Sequence, residues 1–221
     1  METPTIATPL NNRLREGFAR IGMVLRTDDW MRARDAGLNP AQMAILEALE
    51  GRENGLSVKE IALHLGVSQP SATDSITALE RKGYVIKRPA PGDRRALTIC
   101  ITDDGRQSRS AGKSAEGAAD QAIRALSEAE QEDLLISLIK MIRHMQEAGV
   151  IPVQRMCASC RYFRPFVHAD KARPHQCDFV NASFGQRDLR IECREHETAP
   201  PASRAATWEA FQGGLSTLHA T

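Results

Sequence analysis

The sequence predicts a mainly α-helical chain with one small β-ribbon and a small cysteine-rich module near its C-terminus. Three observations predict it. Apolar residues recur at helical spacing through about the first 150 residues. The one departure is Tyr84–Thr102, where Val85–Arg88 and the alternation Leu97, Ile99, Ile101 flank Pro89, Pro91 and Gly92. Four of the five cysteines, Cys157, Cys160, Cys177 and Cys193, fall within 37 residues.

At 221 residues the chain suffices for one full domain plus a smaller appendage, without disulfides in its core. Its 42% apolar and 26% charged residues are ordinary for a soluble globular protein. The net charge of +1 gives no global basic field, so any nucleic-acid footprint must be local. It is local: from Glu80 to Arg95 six cations (Arg81, Lys82, Lys87, Arg88, Arg94, Arg95) stand against Glu80 and Asp93. No apolar run nears the roughly 20 residues that span a bilayer. The N-terminal Met-Glu-Thr-Pro lacks the pattern of a signal peptide. The expectation is a cytoplasmic protein with no membrane partner, where cysteines are more often ligands than disulfides.

The elements follow in order. Residues 1–7 read as frayed, and 1–9 as a disordered N-terminus. Thr8-Pro9 reads as a cap and first turn. Leu10, Leu14, Phe18, Ile21 and Leu25 predict a long helix to about Arg34, closed by Gly37. Asn39-Pro40 opens a second helix with Met43, Leu46 and Leu49 on one face. Ser57 caps a third over Val58–Leu65, ended by Gly66. Ser68 caps a fourth over Gln69–Lys82, with Ile76 and Leu79 inward. After the ribbon, Thr102 caps a helix spanning 103–125, weakened by Gly112 and Gly117. Ser127-Glu-Ala-Glu130 is a capping box that starts a last helix through Leu134, Leu135, Leu138, Ile139, Ile142 and Met145 to Gly149.

A third helix, a short turn containing glycine, a fourth helix with small polar residues and then a basic ribbon is a winged helix-turn-helix order. The fourth helix offers Ser68, Gln69, Ser71, Ala72, Thr73, Ser75 and Thr77 to a major groove. Arg81, Lys82, Lys87 and Arg88 supply cations beside it. The ribbon tip carries Asp93, Arg94 and Arg95. The apolar stripes of the long terminal helices need a partner, and a homodimer on a palindromic double-stranded DNA operator is the economical one.

The chain resembles the MarR family of winged-helix regulators. The likeness is carried by Leu56-Ser-Val-Lys-Glu-Ile-Ala-Leu-His-Leu-Gly-Val-Ser68, by Leu79-Glu-Arg-Lys-Gly-Tyr-Val85, and above all by Asp93-Arg-Arg-Ala-Leu-Thr-Ile-Cys-Ile-Thr102 with Asp104-Gly105. It covers roughly residues 10–148. It implies a homodimer with the fourth helix in the major groove, Asp93 holding the wing arginines, and Arg94 or Arg95 in the minor groove. It also implies regulation of transcription, usually as a repressor, with a small-molecule effector among the partners. The domain reading is a winged-helix and dimerisation unit over 10–149, a cysteine module over 150–197 and a flexible tail over 198–221, with Trp208 and Phe211 as candidates to dock a final short turn.

The module lies outside that family pattern. Cys157-Ala-Ser-Cys160 lets two thiolates meet one metal centre from a single turn. Sixteen residues separate it from Cys177, and fifteen more precede Cys193. Tyr162, Phe163, Phe166, Phe179 and Phe184 are half of the ten aromatics, enough to shield a metal. The spacing, with aromatics after the second and third cysteines, is similar to that of high-potential iron–sulfur proteins, which hold a 4Fe–4S cluster on four cysteines. It departs from them after Cys193, where Arg-Glu-His-Glu stands. A 4Fe–4S cluster is favoured and Zn2+ is the alternative. His175 and His196 are left off the ligand list, and Cys100, on the wing's return strand with room for partial exposure, reads as a passive small residue. The leading reading is a DNA-binding transcription regulator modulated through a redox- or metal-sensitive four-cysteine site. The alternative is a redox or electron-transfer protein whose cysteine module is the working part. No nucleophile–base pair, phosphate-cradling loop or paired acids suggest an enzyme.

Overall fold

The computed structural model describes residues 9–111 and 116–218. The frayed N-terminus, the Thr8 cap and Gly112 therefore lie outside the described residues. Helix α1 runs Leu10–Asp35 from Pro9, and α2 runs Pro40–Leu49 under a capping box between Asn39 and Gln42. Helix α3 (Val58–Leu65) starts on a second box, Ser57 with Glu60. Helix α4 (Gln69–Arg81) starts on the Ser68 hydroxyl, which accepts from the Ser71 N–H. One aliphatic core joins them: Ile45, Leu46 and Leu49 of α2, Ile61 of α3, and Ile76 and Leu79 of α4. Each such side chain contributes about 1.5–3 kcal/mol by leaving water.

Strands β1 (Val85–Ala90) and β2 (Asp93–Ile101) form an antiparallel ribbon, with Val85 opposite Ile101 and Pro89 opposite Leu97. Gly92 makes the turn at φ +83°, a conformation that a side chain resists. The ribbon's root is pinned where Leu56 and Ile99 exchange backbone hydrogen bonds of 3.0 and 2.7 Å. Gly55, at φ +66°, fits against that root because a Cβ there would stand 2.2 Å from the Ile99 carbonyl oxygen. Ile99 and Ile101 are buried, whereas Leu97 on the same face is 52% exposed. The alternation was legible, but the ribbon outruns the core that would cover Leu97. Cys100 is buried rather than partly exposed.

The single helix expected over 103–125 is two helices, α5 (Asp103–Ala111) and α6 (Ala118–Arg124). Thr102 caps the first as expected, accepting from the Gly105 N–H at 3.1 Å. Gly117 is not a weak interior residue but the N-cap of α6. There the buried Asp28 of α1 accepts the Ala119 N–H at 3.0 Å, an acid at a helix N-terminus that sequence spacing gave no sign of.

Helix α7 (Glu128–Glu147) starts on the expected Ser127–Glu130 box. The boundary expected at 149/150 does not separate two cores. Ile136 and Ile139 of α7 pack with Met156, Phe163 and Leu189, and with Phe211 and Leu215 from the last helix. That helix, α8 (Pro201–Leu218), corrects the expectation of a flexible tail. Pro200-Pro201 reads as a linker, yet Pro201 sits in a first turn, and Trp208, Phe211 and Leu215 recur at helical spacing. Between α7 and α8 the chain makes a small antiparallel sheet in the order β3 (Phe163–Arg164), β4 (His175–Cys177), β5 (Ala182–Phe184). Among the described residues no helix is long and apolar enough to cross a membrane.

Candidate nucleic-acid interface and cysteine cavity

The α3–turn–α4 unit presents one polar face. Gln69, Ser71, Thr73 and Thr77 are exposed, Ser75 is half-buried, and Ser68 is exposed at the helix start. The Thr73 hydroxyl donates back to the Gln69 carbonyl at 2.8 Å, which fixes its rotamer. Ala72 is a correction: at 1% exposure it packs inward with Ile76 and Leu79, and its methyl touches no external partner. The spacing explains this, since 72, 76 and 79 share one face. Asp74 is exposed on the same helix, an acid that the sequence reading passed over.

The cations differ in what they touch. Arg81 and Arg88 are exposed. Lys82 donates to the Gly37 carbonyl at 2.7 Å, which ties α4 to the α1–α2 turn. Lys87 pairs with Glu80 at 2.7 Å. Arg95 is exposed at the ribbon's end, while the Asp93 and Arg94 side chains lie outside the described residues. Polar helix face and ribbon thus flank one another, joined through the Gly83 turn. Such a surface can lie along a duplex, with hydroxyls and amides at base edges and guanidinium groups at phosphates.

A second site lies at the other end of the chain. The thiols of Cys157, Cys160, Cys177 and Cys193 are free, and all four line one cavity of about 330 Å³. Cys157 and Cys160 flank a single 3₁₀ turn, Cys177 ends β4, and Cys193 sits on the loop before α8. Tyr162, Phe163, Phe179 and Phe184 share the wall with charged residues, among them Arg173, Asp188, Arg190 and Glu195. The Arg190 backbone N–H donates to the Cys157 sulfur at 3.3 Å, and its guanidinium approaches the Cys193 sulfur at 3.7 Å. The Cys193 thiol in turn donates to Glu195 at 3.3 Å. Burial pushes the Cys157 thiol up to about 11 and raises that of Cys193. Among the described residues no three His, Cys, Asp or Glu side chains converge tightly enough to hold one metal ion.

The two histidines face elsewhere. His175 is buried among Phe163, Phe166, Phe184 and Phe211, with ring centroids 4.7–5.7 Å away. Its Nδ1 accepts the Phe166 N–H at 3.3 Å, so the proton resides on Nε2. Burial lowers its pKa to about 4. His196 lies 3.0 Å from the buried Ser159 hydroxyl, and burial likewise holds it near 4.

A clasp links the cysteine loop to the end of α2, and no residue pattern signals it. Arg155 is 8% exposed and donates to the Glu50 and Gly51 carbonyls at 3.4 and 3.5 Å. It also donates to the Arg194 carbonyl and pairs with Glu192 at 3.2 Å. Its own carbonyl accepts the Cys193 N–H at 3.0 Å. Arg194 reaches back to Glu50 at 3.1 Å, and Arg109 of α5 meets the same carboxylate at 3.4 Å. Cys193 is thus held on both sides by residues bonded to the end of α2.

Comparison with known proteins begins with the fold. CouR from Rhodococcus jostii RHA1, solved with p-coumaroyl-CoA, superposes at a TM-score of 0.50 and 18% identity, covering 66% of this chain and 98% of that one. A MarR transcriptional regulator from Methanosarcina mazei Go1 gives 0.52 at 15% identity, covering 62% and 99%. At such identities the likeness is one of fold. By sequence, the activatory protein BadR of Rhodopseudomonas palustris is 39% identical over 72 residues, which are 32% of this chain and 41% of that protein. The repressor MprA of Escherichia coli K12 is 32% identical over the same shares of each chain. The chain therefore spans about two fifths of the length of these curated relatives. Residues 36–96, from the end of α1 through the helix-turn-helix and into β2, match the model of the MarR family.

Proposed function

We propose that this protein is a homodimeric, sequence-specific DNA-binding regulator of transcription, acting as a repressor and carrying a metal-holding four-cysteine site. The observation that carries the regulator reading is the exposed polar face of α4 beside a ribbon that ends in arginines, on a segment matching the MarR family. The dimer reading is supported by α1, whose Leu10, Leu14, Phe18, Ile21 and Leu25 stay exposed along one stripe. A second copy is the partner that covers such a stripe symmetrically. A small-molecule effector belongs to the same reading, as CouR was solved with an acyl-CoA. The chemistry of this surface is recognition rather than catalysis.

The four-cysteine site is read as an iron–sulfur site, with Zn2+ as the alternative. A single zinc draws four sulfurs to about 2.3 Å from one point, whereas a cluster spreads its thiolates over separate irons. Four cysteines around one cavity of about 330 Å³, with no tight trio among the described residues, fit the second arrangement better. N–H donors on two of the sulfurs and an aromatic wall are the surroundings that tune a cluster. Cys157, Cys160, Cys177 and Cys193 would hold it. A bound cluster would supply one-electron chemistry.

Selection of duplex fragments from a random pool, followed by binding at two salt concentrations, tests the regulator reading. The wild type should enrich a palindrome, and its affinity should fall steeply with salt. Replacing Arg94 and Arg95 with Ala should weaken binding about tenfold or more and flatten that slope. Sequence-blind binding, or an unchanged double variant, refutes it. For the metal, anaerobic protein given ferrous iron and sulfide should become brown and hold about four irons per chain. A colourless protein with one zinc refutes the cluster.

A further inference from the structure

The clasp at Arg155 does more than hold two parts together. We infer that the loading of the four-cysteine cavity sets DNA affinity by fixing the Cys193 loop against Glu50 and Gly51 through Arg155, an inference that rests on the metal reading above.

Cys193 stands between two residues of the clasp: Arg194 pairs directly with Glu50 at the end of α2, and Glu192 pairs with Arg155, which in turn bonds to Glu50 and Gly51. The Arg155 guanidinium is buried, with three carbonyls and one carboxylate as partners. A buried guanidinium stripped of partners is strongly unfavourable, so Arg155 and the Cys193 loop are held or released together. Their grip falls where it matters for DNA. Glu50 caps the C-terminus of α2, which packs in the same core as α4. Gly51 opens the loop that ends at Leu56, the residue hydrogen-bonded to Ile99 at the root of the ribbon. The space is also full, because a Cβ on Gly51 would stand 2.8 Å from the Arg194 side chain. A sulfur bound in the cavity removes freedom from the 192–194 loop and so favours one placement of α2's end and the ribbon root. Differential stabilisation of that placement is the requirement for coupling between two sites.

The test compares full-length wild type with Arg155→Met and Glu50→Gln. Each is prepared metal-free and after anaerobic loading with ferrous iron and sulfide, with iron counted per chain and affinity for the selected palindrome measured. Wild type should change its DNA affinity about tenfold or more on loading, and by linkage the DNA should change metal affinity by the same factor. Both variants should load the same iron and bind DNA when metal-free; Arg155→Met should show a loading effect near onefold, and Glu50→Gln, which loses only the charge pair with Arg194, a smaller effect than wild type. Full iron uptake with no change in wild-type affinity overturns the inference and leaves the metal reading standing. An undiminished effect in both variants overturns it as well. A wild-type chain that takes up no iron overturns the iron–sulfur reading and the inference with it. Should Arg155→Met lose its helical circular dichroism, Arg155→Lys decides instead, since its single ammonium keeps the buried charge but cannot reach the three carbonyls and the carboxylate together.

Discussion

The two cores of this molecule are built from different materials. The first, under α2, α3, α4 and the ribbon root, is aliphatic: Ile, Leu, Val and Met brought together by regular helices. The second, between α7 and α8, gathers Phe163, Phe211 and Leu189 with partly buried Phe166, Phe184, Cys157 and Cys160, mostly on turns and strands of two or three residues. A helix-built core is held by its own backbone ladder plus burial. A turn-built core has few such ladders and leans on large rings, and on any crosslink its cysteines accept. The comparison teaches that stability in the second region is concentrated in a few side chains.

That difference is testable because one of the two tryptophans, Trp208 on α8, packs on the second core, while the other, Trp30 on α1, is largely exposed. Phe211→Ala should have the largest effect. Phe211 is fully buried and touches His175, Phe163, Phe166 and Trp208, so its loss should cost about 3–5 kcal/mol, read from Trp208 fluorescence in urea with Trp30 replaced by Phe. Binding of the palindrome should persist in urea beyond the loss of the Trp208 signal. Loss of both at one midpoint would make the two cores a single cooperative unit and break the comparison. Leu46→Ala comes next, at about 2–5 kcal/mol, and it should lower the urea midpoint of DNA binding more than that of Trp208.

The smallest effect concerns pH. Burial, then the nearby Arg52 and Arg155 charges, lowers the pKa of His64. Its neutral form is the one the fold favours, so its contribution is full above the ordinary value near 6.5 and is lost as pH falls below that value. The midpoint of unfolding should therefore drop between about pH 7.5 and 5.5, and His64→Gln should drop less. Equal drops would show that the ring's surroundings do not discriminate between its two forms.

Much of the first region was legible in the sequence. Asn39, Ser57, Ser68 and Ser127 announce helix starts because a cap is a local device, readable within four residues. On α4 the polar residues named from the sequence are exposed or half-buried, whereas Ala72 is buried, because a small residue carries no hint of which side it occupies. The second region was less legible. The four cysteines pointed to one another through their chemistry, and the cavity brings them together. Helix α8 was hidden behind Pro200-Pro201, which reads as a linker unless the Trp208, Phe211, Leu215 stripe is weighed against it. Arg155 was invisible, since its partners lie 39 and about 104 residues away and no period marks a single long-range hydrogen bond.

The packing of α7 in the C-terminal core has a practical side. A cut after Gly149, the natural place to excise a minimal DNA reader, would bare Ile136 and Ile139 to water and leave a sticky stripe where a lid used to sit. The shortened protein should clump, and removing the appendage would say little about what the appendage does. The cysteine region is better regarded as a graft whose rootstock is the helix beneath it: it can be altered residue by residue, but not pruned.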